Sequence, residues 1–96
     1  MALATTPFDA AAYLTDADAI EEFLRNAFED GTPEEIAASL GVVARARGMS
    51  ELAHDTGLNR QALYKALNAD GNPSFATVLK VAQALGFRLV PERVAR

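Results

Sequence analysis

The sequence predicts an all-α fold, a helix-turn-helix bundle with extra helices at its N-terminal end and one short strand near its C-terminal end. Three observations support this prediction. Apolar residues recur at spacings of three and four along most of the 96 residues, which is the period of a helix with one buried face. Residues that commonly cap helices precede these stretches. A three-residue turn containing glycine separates two short helical stretches between residues 49 and 68.

The N-terminal third is predicted to hold a tail and one amphipathic helix. Residues 1–8 form the tail, and residues 7–13 predict a brief helical turn with Asp9 as its cap. A longer helix is predicted to begin within residues 15–18, where acids occupy the first turn, and to end near Asp30 and Gly31. Its apolar stripe consists of Ile20, Phe23, Leu24, Ala27 and Phe28.

The clearest helix start lies at residues 32–35, whose sequence is TPEE. Thr32 is the predicted N-cap, Pro33 takes the first helical position, and Glu35 completes a capping box. Gly48 is predicted to end this helix after two arginines, whose charges favour a helix C-terminus. The predicted buried stripe consists of Ile36, Leu40, Val43 and Ala44.

Three shorter helices are predicted to follow. Ser50 is the predicted cap of a helix over residues 51–56, and Asn59 is the predicted cap of a helix over residues 60–67. DNA contact is the alternative role for both residues. After a loop at residues 68–73, Ser74 is predicted to cap the last helix, with Gly86 as its C′ residue. The apolar side of this last helix consists of Phe75, Val78, Leu79, Ala82 and Leu85.

Residues 49–68 meet the geometric demands of a helix-turn-helix. Ala53 is small enough for the two helices to cross closely, and Gly57 accepts the positive φ that the turn needs. The residues predicted to pin the two helices to each other and to the core are Leu52, Leu58, Leu63 and Ala66. A pair of packed helices with no role in DNA binding is the alternative interpretation.

Residues Phe87, Arg88, Leu89 and Val90 alternate in polarity before Pro91 and predict the short strand. A single strand leaves backbone groups unpaired, and pairing with its copy in a second chain satisfies them. We therefore predict a two-fold symmetric homodimer, which suits a palindromic operator with half-sites about 34 Å apart. A frayed C-terminus without a strand is the alternative.

Charge is distributed unevenly along the chain. Residues 1–40 hold nine acids against Arg25, a formal charge of −8, whereas residues 41–96 hold eight cations against four acids, a formal charge of +4. A basic half suits phosphates, and an acidic half suits a basic partner or is simply a solvated surface. We therefore predict an acidic helical extension at residues 1–31 and a DNA-binding domain with the dimerisation strand at residues 32–96, packed as one compact unit.

The outward side of the second short helix is the candidate DNA-binding surface, because the N-terminal end of such a helix enters the major groove. Gln61 suits a bidentate contact with adenine, and Arg60 suits guanine or phosphate. Lys65 lies one turn further on, and Tyr64 offers a hydroxyl to phosphate unless it is partly buried in the bundle. The candidate DNA-binding residues are Asn59, Arg60, Gln61, Tyr64, Lys65, Asn68 and Ser50.

Residues 49–90 resemble the lambda-repressor-like helix-turn-helix superfamily. Residues 49–53 (MSELA) and 57–64 (GLNRQALY) are similar to its paired helices, and residues 72–86 (NPSFATVLKVAQALG) to the loop and helix that follow. This resemblance implies a lambda-repressor-like fold and binding to double-stranded operator DNA.

Three further segments resemble the family of probable addiction-module antidote proteins, which are helix-turn-helix antitoxins of bacteria. These segments are residues 5–9 (TTPFD), 41–50 (GVVARARGMS) and 70–75 (DGNPSF). The resemblance implies a cognate small basic toxin of the RelE/ParE type, encoded beside the chain. It also implies two activities, which are neutralising that toxin and repressing the promoter that both genes share. The acidic residues 16–35 give toxin binding a physical basis.

Several classes of function are excluded or disfavoured. The chain has no Cys and one His, His54, so a disulfide framework, a Cys-ligated zinc or a His-rich metal site is not expected. Adjacent acids lie on helix surfaces, and no glycine-rich phosphate loop occurs, so we expect neither an enzyme nor a cofactor. No apolar run approaches the roughly 20 residues of a membrane span, and residues 1–8 lack signal-peptide features, so we expect a cytoplasmic protein.

Two other functions remain open alongside the antitoxin. One is a stand-alone or prophage-type transcriptional regulator without a toxin, and the other is a protein-interaction module that has lost DNA binding.

Overall fold

The computed structural model describes residues 16–95, which contain five helices. They are α1 (Ala17–Asp30), α2 (Pro33–Arg47), α3 (Met49–Thr56), α4 (Arg60–Ala66) and α5 (Phe75–Ala84). The prediction of an all-α chain is confirmed, and residues 16–95 contain no strand. The predicted turn at residues 7–13, with its Asp9 cap, lies outside the described residues.

Side-chain caps define the starts of four helices. The capping box at α2 is confirmed, since the Glu35 N–H donates to Thr32 Oγ1 at 3.2 Å and the Thr32 N–H donates to Glu35 Oε1 at 2.9 Å. Asp16 caps α1 by accepting from the Ala19 N–H at 2.8 Å. The other two caps, Asn59 and Ser74, are found at their predicted positions.

The predicted cap at Ser50 is wrong. α3 begins at Met49, directly after Gly48, so Ser50 is the second residue of the helix, and no side chain caps this end. Gly48 serves both as the C-cap of α2 and as the N-cap of α3, with φ 117°. The N-cap position of α3 is thus held by a glycine, which has no side chain to accept a hydrogen bond.

α2 is the centre of the bundle, since it packs against α1, α3, α4 and α5. The predicted stripe of α2 is confirmed at Leu40, Val43 and Ala44, which are buried, and Ile36 is partly buried. The largest fully buried side chains of the core are Leu40, Leu52, Leu63, Val43 and Val81. α1 packs against α2 and no other helix of the described chain, and its stripe places Leu24 in the core.

The last helix differs from the prediction at its first residue. Phe75 was predicted to face the core, but 71% of its surface is exposed. Burial in α5 is concentrated at Val81 and Ala82, with Leu85 following the helix. The helix therefore packs through its C-terminal half, and its first turn extends beyond that contact.

α5 ends in a left-handed residue, as predicted for Gly86, which has φ 93°. The Gly86 N–H donates to the Gln83 carbonyl at 3.0 Å, and the Phe87 N–H donates to the Ala82 carbonyl at 2.8 Å. These two bonds are those of a Schellman motif, and Phe87 accordingly packs against the core.

The strand predicted at residues 87–90 is not found, because residues 87–95 belong to no helix or strand of the single chain. A strand exists only where a second backbone supplies its hydrogen bonds, and no described segment of this chain supplies one. The exposure of the segment does alternate, since Phe87 and Leu89 are partly buried whereas Arg88 and Val90 are exposed.

The end of α4 comes close to α2 at Gly41, in the middle of α2. A Cβ atom built on Gly41 would overlap the carbonyl oxygen of Leu67, the residue that ends α4. Gly41 is buried, and Leu67 is 4% exposed. The missing side chain therefore lets the end of α4 rest directly on α2.

We expect Gly41→Ala to lower the free energy of unfolding by about 1–3 kcal/mol, because the added methyl group forces α4 away from α2. Urea denaturation followed by circular dichroism measures this change. Ala46→Gly, at an exposed position of α2, is the control and should cost about 1 kcal/mol through helix propensity alone. A Gly41→Ala variant as stable as the wild type would contradict the close approach.

Candidate nucleic-acid interface

A three-residue turn joins α3 to α4. Gly57 follows α3 in the left-handed region, with φ 76° and ψ 8°, and its N–H donates to the Ala53 carbonyl at 3.0 Å. The Thr56 hydroxyl donates to the Leu52 carbonyl at 2.8 Å and accepts from the Leu58 N–H at 3.3 Å. The turn is thus held by its own hydrogen bonds, which fix the direction in which α4 leaves.

α4 is buried on one side and exposed on the other. Leu63 is fully buried, and Leu67 and Ala66 continue the same side into the core. Four of the predicted site residues share the opposite, exposed side, which we call the outer face of α4. It consists of Arg60, Gln61, Tyr64 and Lys65. α1 does not pack against α4, so the acidic helix leaves this face uncovered.

Arg60 and Tyr64 form a pair on the outer face of α4. The guanidinium carbon of Arg60 lies 5.7 Å from the centroid of the Tyr64 ring, within the range of a cation–π contact. Tyr64 is 46% exposed, so it is only partly covered by the bundle. The sequence interpretation missed this pair, although its spacing of four residues on one helix is the signal for such a contact.

Two predicted site residues are held by local hydrogen bonds. Asn59 Oδ1 accepts from the Ala62 N–H at 2.7 Å and so caps α4. Asn68 Nδ2 donates to the Tyr64 carbonyl at 2.6 Å and to the Lys65 carbonyl at 3.2 Å, while its Oδ1 accepts from the Asp70 N–H at 2.8 Å. Asn68 thus ends α4, and both ends of its amide are occupied within the chain.

The remaining predicted residues lie away from the outer face of α4. Ser50 is exposed in the first turn of α3. The candidate dimerisation residues lie after α5, and Val90 is 65% exposed among them.

The charges are separated between the helices. Residues 16–35 carry eight exposed acids against Arg25, whose guanidinium is paired with Glu21 at 2.6 Å. α4 carries Arg60 and Lys65 and no acid. The outer face of α4 therefore carries positive charge, which suits a phosphate backbone, whereas α1 with the first turn of α2 carries negative charge, which repels one.

Other kinds of site find little support in residues 16–95. No group of three His, Asp or Glu side chains in this range is arranged to hold a metal ion. None of the five helices has the length and apolar character needed to cross a bilayer.

Comparison with known proteins identifies relatives over nearly the whole chain. The model of a family described as "Probable addiction module antidote protein" matches residues 4–92. An uncharacterized protein of Haemophilus influenzae is 46% identical over 81 residues, which cover 84% of each chain. No solved structure is significantly similar.

We expect Asn59→Ala to lower the free energy of unfolding by about 1 kcal/mol, because the first turn of α4 loses its capping acceptor. Asn59→Ser keeps a capping oxygen and should remain close to the wild type. Urea denaturation of both variants measures the difference. An equal loss of unfolding free energy in the two variants would show that Asn59 does not stabilise the protein through its capping hydrogen bond.

Proposed function

Because the chain belongs to the family of probable addiction module antidote proteins, we propose that it is a DNA-binding antitoxin that neutralises a cognate toxin and represses its own operon. Family membership carries the antidote assignment. The observation that carries DNA binding is the outer face of α4, which presents four polar or basic residues while Leu63 holds the helix in the core.

On this proposal, α3 and α4 are the two helices of a lambda-repressor-like helix-turn-helix, and the N-terminal end of α4 enters the major groove of double-stranded DNA. Gln61 contacts adenine, and Arg60 contacts guanine or phosphate. Lys65 reaches base or backbone one turn further on. The contact between Arg60 and the Tyr64 ring supports this arrangement, because it restrains two of the proposed DNA-contacting side chains in the free protein.

The other candidate residues have smaller parts in the proposal. Ser50 and Asn59 lie in or next to the first turns of α3 and α4, where hydroxyl, amide and backbone N–H groups suit phosphate oxygens. Asn68 sets the end of α4, since its amide is committed to that end.

We further propose a homodimer in which residues 87–90 pair with their copy. Their alternating exposure supports the pairing, as does the fact that residues 87–95 belong to no helix or strand of the described chain. A two-fold axis would place two α4 helices on successive half-sites of one operator.

The proposed toxin is a small basic protein of the RelE/ParE type, encoded beside the chain. The eight exposed acids of residues 16–35 support a cationic partner. A stand-alone regulator without a toxin is the competing function, and the absence of a neighbouring reading frame for such a protein would favour it.

We expect Gln61→Ala to weaken binding to the DNA upstream of the chain's own operon by about 1–3 kcal/mol, through loss of a base contact. Lys65→Ala should mainly reduce the dependence of affinity on salt, through loss of a phosphate contact. Fluorescence anisotropy at two salt concentrations separates the two effects. Arg25→Ala, which removes a cation from α1, is the control and should bind as the wild type does. Unchanged affinity in both α4 variants would refute the assignment.

We expect the wild type to sediment as a dimer at micromolar concentration and Val90→Asp to shift it toward the monomer, because the pairing would bury the new charge. Val94→Asp is the matched control, since Val94 is equally exposed, at 63% against 65%, but lies beyond the predicted strand. Analytical ultracentrifugation measures all three proteins. A monomeric wild type would exclude the proposed dimer.

A further inference from the structure

A groove of about 570 Å³ lies where the end of α1, the start of α2 and the loop before α5 meet. Its apolar lining includes Phe28, Ile36, Phe75, Val78 and Leu89. Two acids, Glu34 and Asp70, also line it. We call this feature the acid-rimmed groove.

Two aromatic side chains of the acid-rimmed groove remain in solvent. Phe75 is 71% exposed, and Phe28 is 38% exposed. The third well-exposed aromatic of residues 16–95 is Tyr64, which has the Arg60 guanidinium over its ring. Exposed apolar side chains that share one concave surface are typical of a binding site, whereas isolated ones are common anywhere.

Charge selects the kind of partner. The two stretches that contribute most of the groove, residues 26–44 and 66–79, contain no Lys or Arg. The larger neighbouring groove, of about 860 Å³, is lined by Glu21 and Glu92 but also by Arg25 and Arg88, so its charge is balanced. Of the two larger grooves of residues 16–95, the acid-rimmed groove is therefore the one that favours a cationic occupant.

We propose that the acid-rimmed groove is the site that holds the toxin, and that it accepts an amphipathic segment with apolar side chains flanked by Lys or Arg. This inference rests on the proposed antitoxin function and adds the position of the contact. A second copy of the chain fits less well, because a two-fold contact across the groove would bring Glu34 and Asp70 toward their own copies. No residue of the outer face of α4 lines the groove, so the proposed toxin and DNA sites share no residue.

The test uses the full chain and the small basic protein encoded beside it. Phe75→Ser removes the exposed ring, and Glu34→Lys combined with Asp70→Lys reverses the charge of the rim. Two matched controls lie outside the groove: Tyr64→Ser removes an exposed ring from α4, and Asp55→Lys reverses an exposed acid on α3. The dissociation constant of each complex is measured by competition against labelled wild type, and circular dichroism checks that each variant is folded.

We expect Phe75→Ser to weaken toxin binding by about 30-fold or more, as for an aromatic anchor in an interface. The rim variant should weaken it as well, and both controls should bind toxin as the wild type does. Both groove variants should still bind operator DNA, which shows that the loss is confined to the toxin contact.

Three results would overturn the inference in distinguishable ways. Groove variants that bind toxin normally would place the toxin elsewhere and leave the antitoxin function intact. Groove variants that change the sedimenting mass but not toxin binding would show that a second copy occupies the groove. A wild type that binds no product of the adjacent gene would overturn the antitoxin function together with the groove.

Discussion

The packing of α4 against α2 determines which residues of the proposed helix-turn-helix segment face solvent. Leu63 is fully buried beneath α4, and the end of α4 at Leu67 rests on Gly41, where any side chain would collide with its carbonyl. This contact fixes the rotation of α4 about its own axis. Residues on the opposite side of the helix therefore face solvent. The outer face of α4 therefore follows from the core rather than from its own residues.

The two proposed activities are separated by the same arrangement. α2 lies between α1 and α4, which do not pack against each other. The acids of α1 are thus kept away from the face that would approach phosphates, and the basic residues of α4 are kept away from the face that would meet a cationic protein. A chain of net charge −4 can therefore be suited to DNA on one side.

Local signals in the sequence predicted most of the helices, because they depend on residues a few positions apart. Thr32 with Glu35, Asn59, Ser74 and Gly86 all have the capping or terminating role that their neighbours imply. Two features that the sequence did not reveal, the exposure of Phe75 and the close contact at Gly41, depend on neighbours that are distant in sequence.

The exposure of Phe75 depends on where α5 meets its partners, and the role of Gly41 depends on a carbonyl 26 residues away. The cap expected at Ser50 does not form because Gly48 is both the C-cap of α2 and the N-cap of α3. The sequence pattern did not indicate that the two helices share this residue. The strand predicted at residues 87–90 is not found, since alternating polarity alone supplies no second backbone to pair with. For the site, the sequence identified the outward residues of α4 but not the pairing of Arg60 with Tyr64.

On the proposed function, the shortness of α4, which ends next to Asn68, limits how many base pairs one chain can contact. With seven residues and a rise of about 1.5 Å each, α4 is only about 10 Å long, the height of roughly three stacked base pairs. A DNA sequence of about three base pairs recurs by chance throughout any genome. On the proposed function, a single chain would therefore bind DNA with little sequence selectivity. Selectivity would come from two such short sites at a fixed separation, each bound by one chain of a dimer.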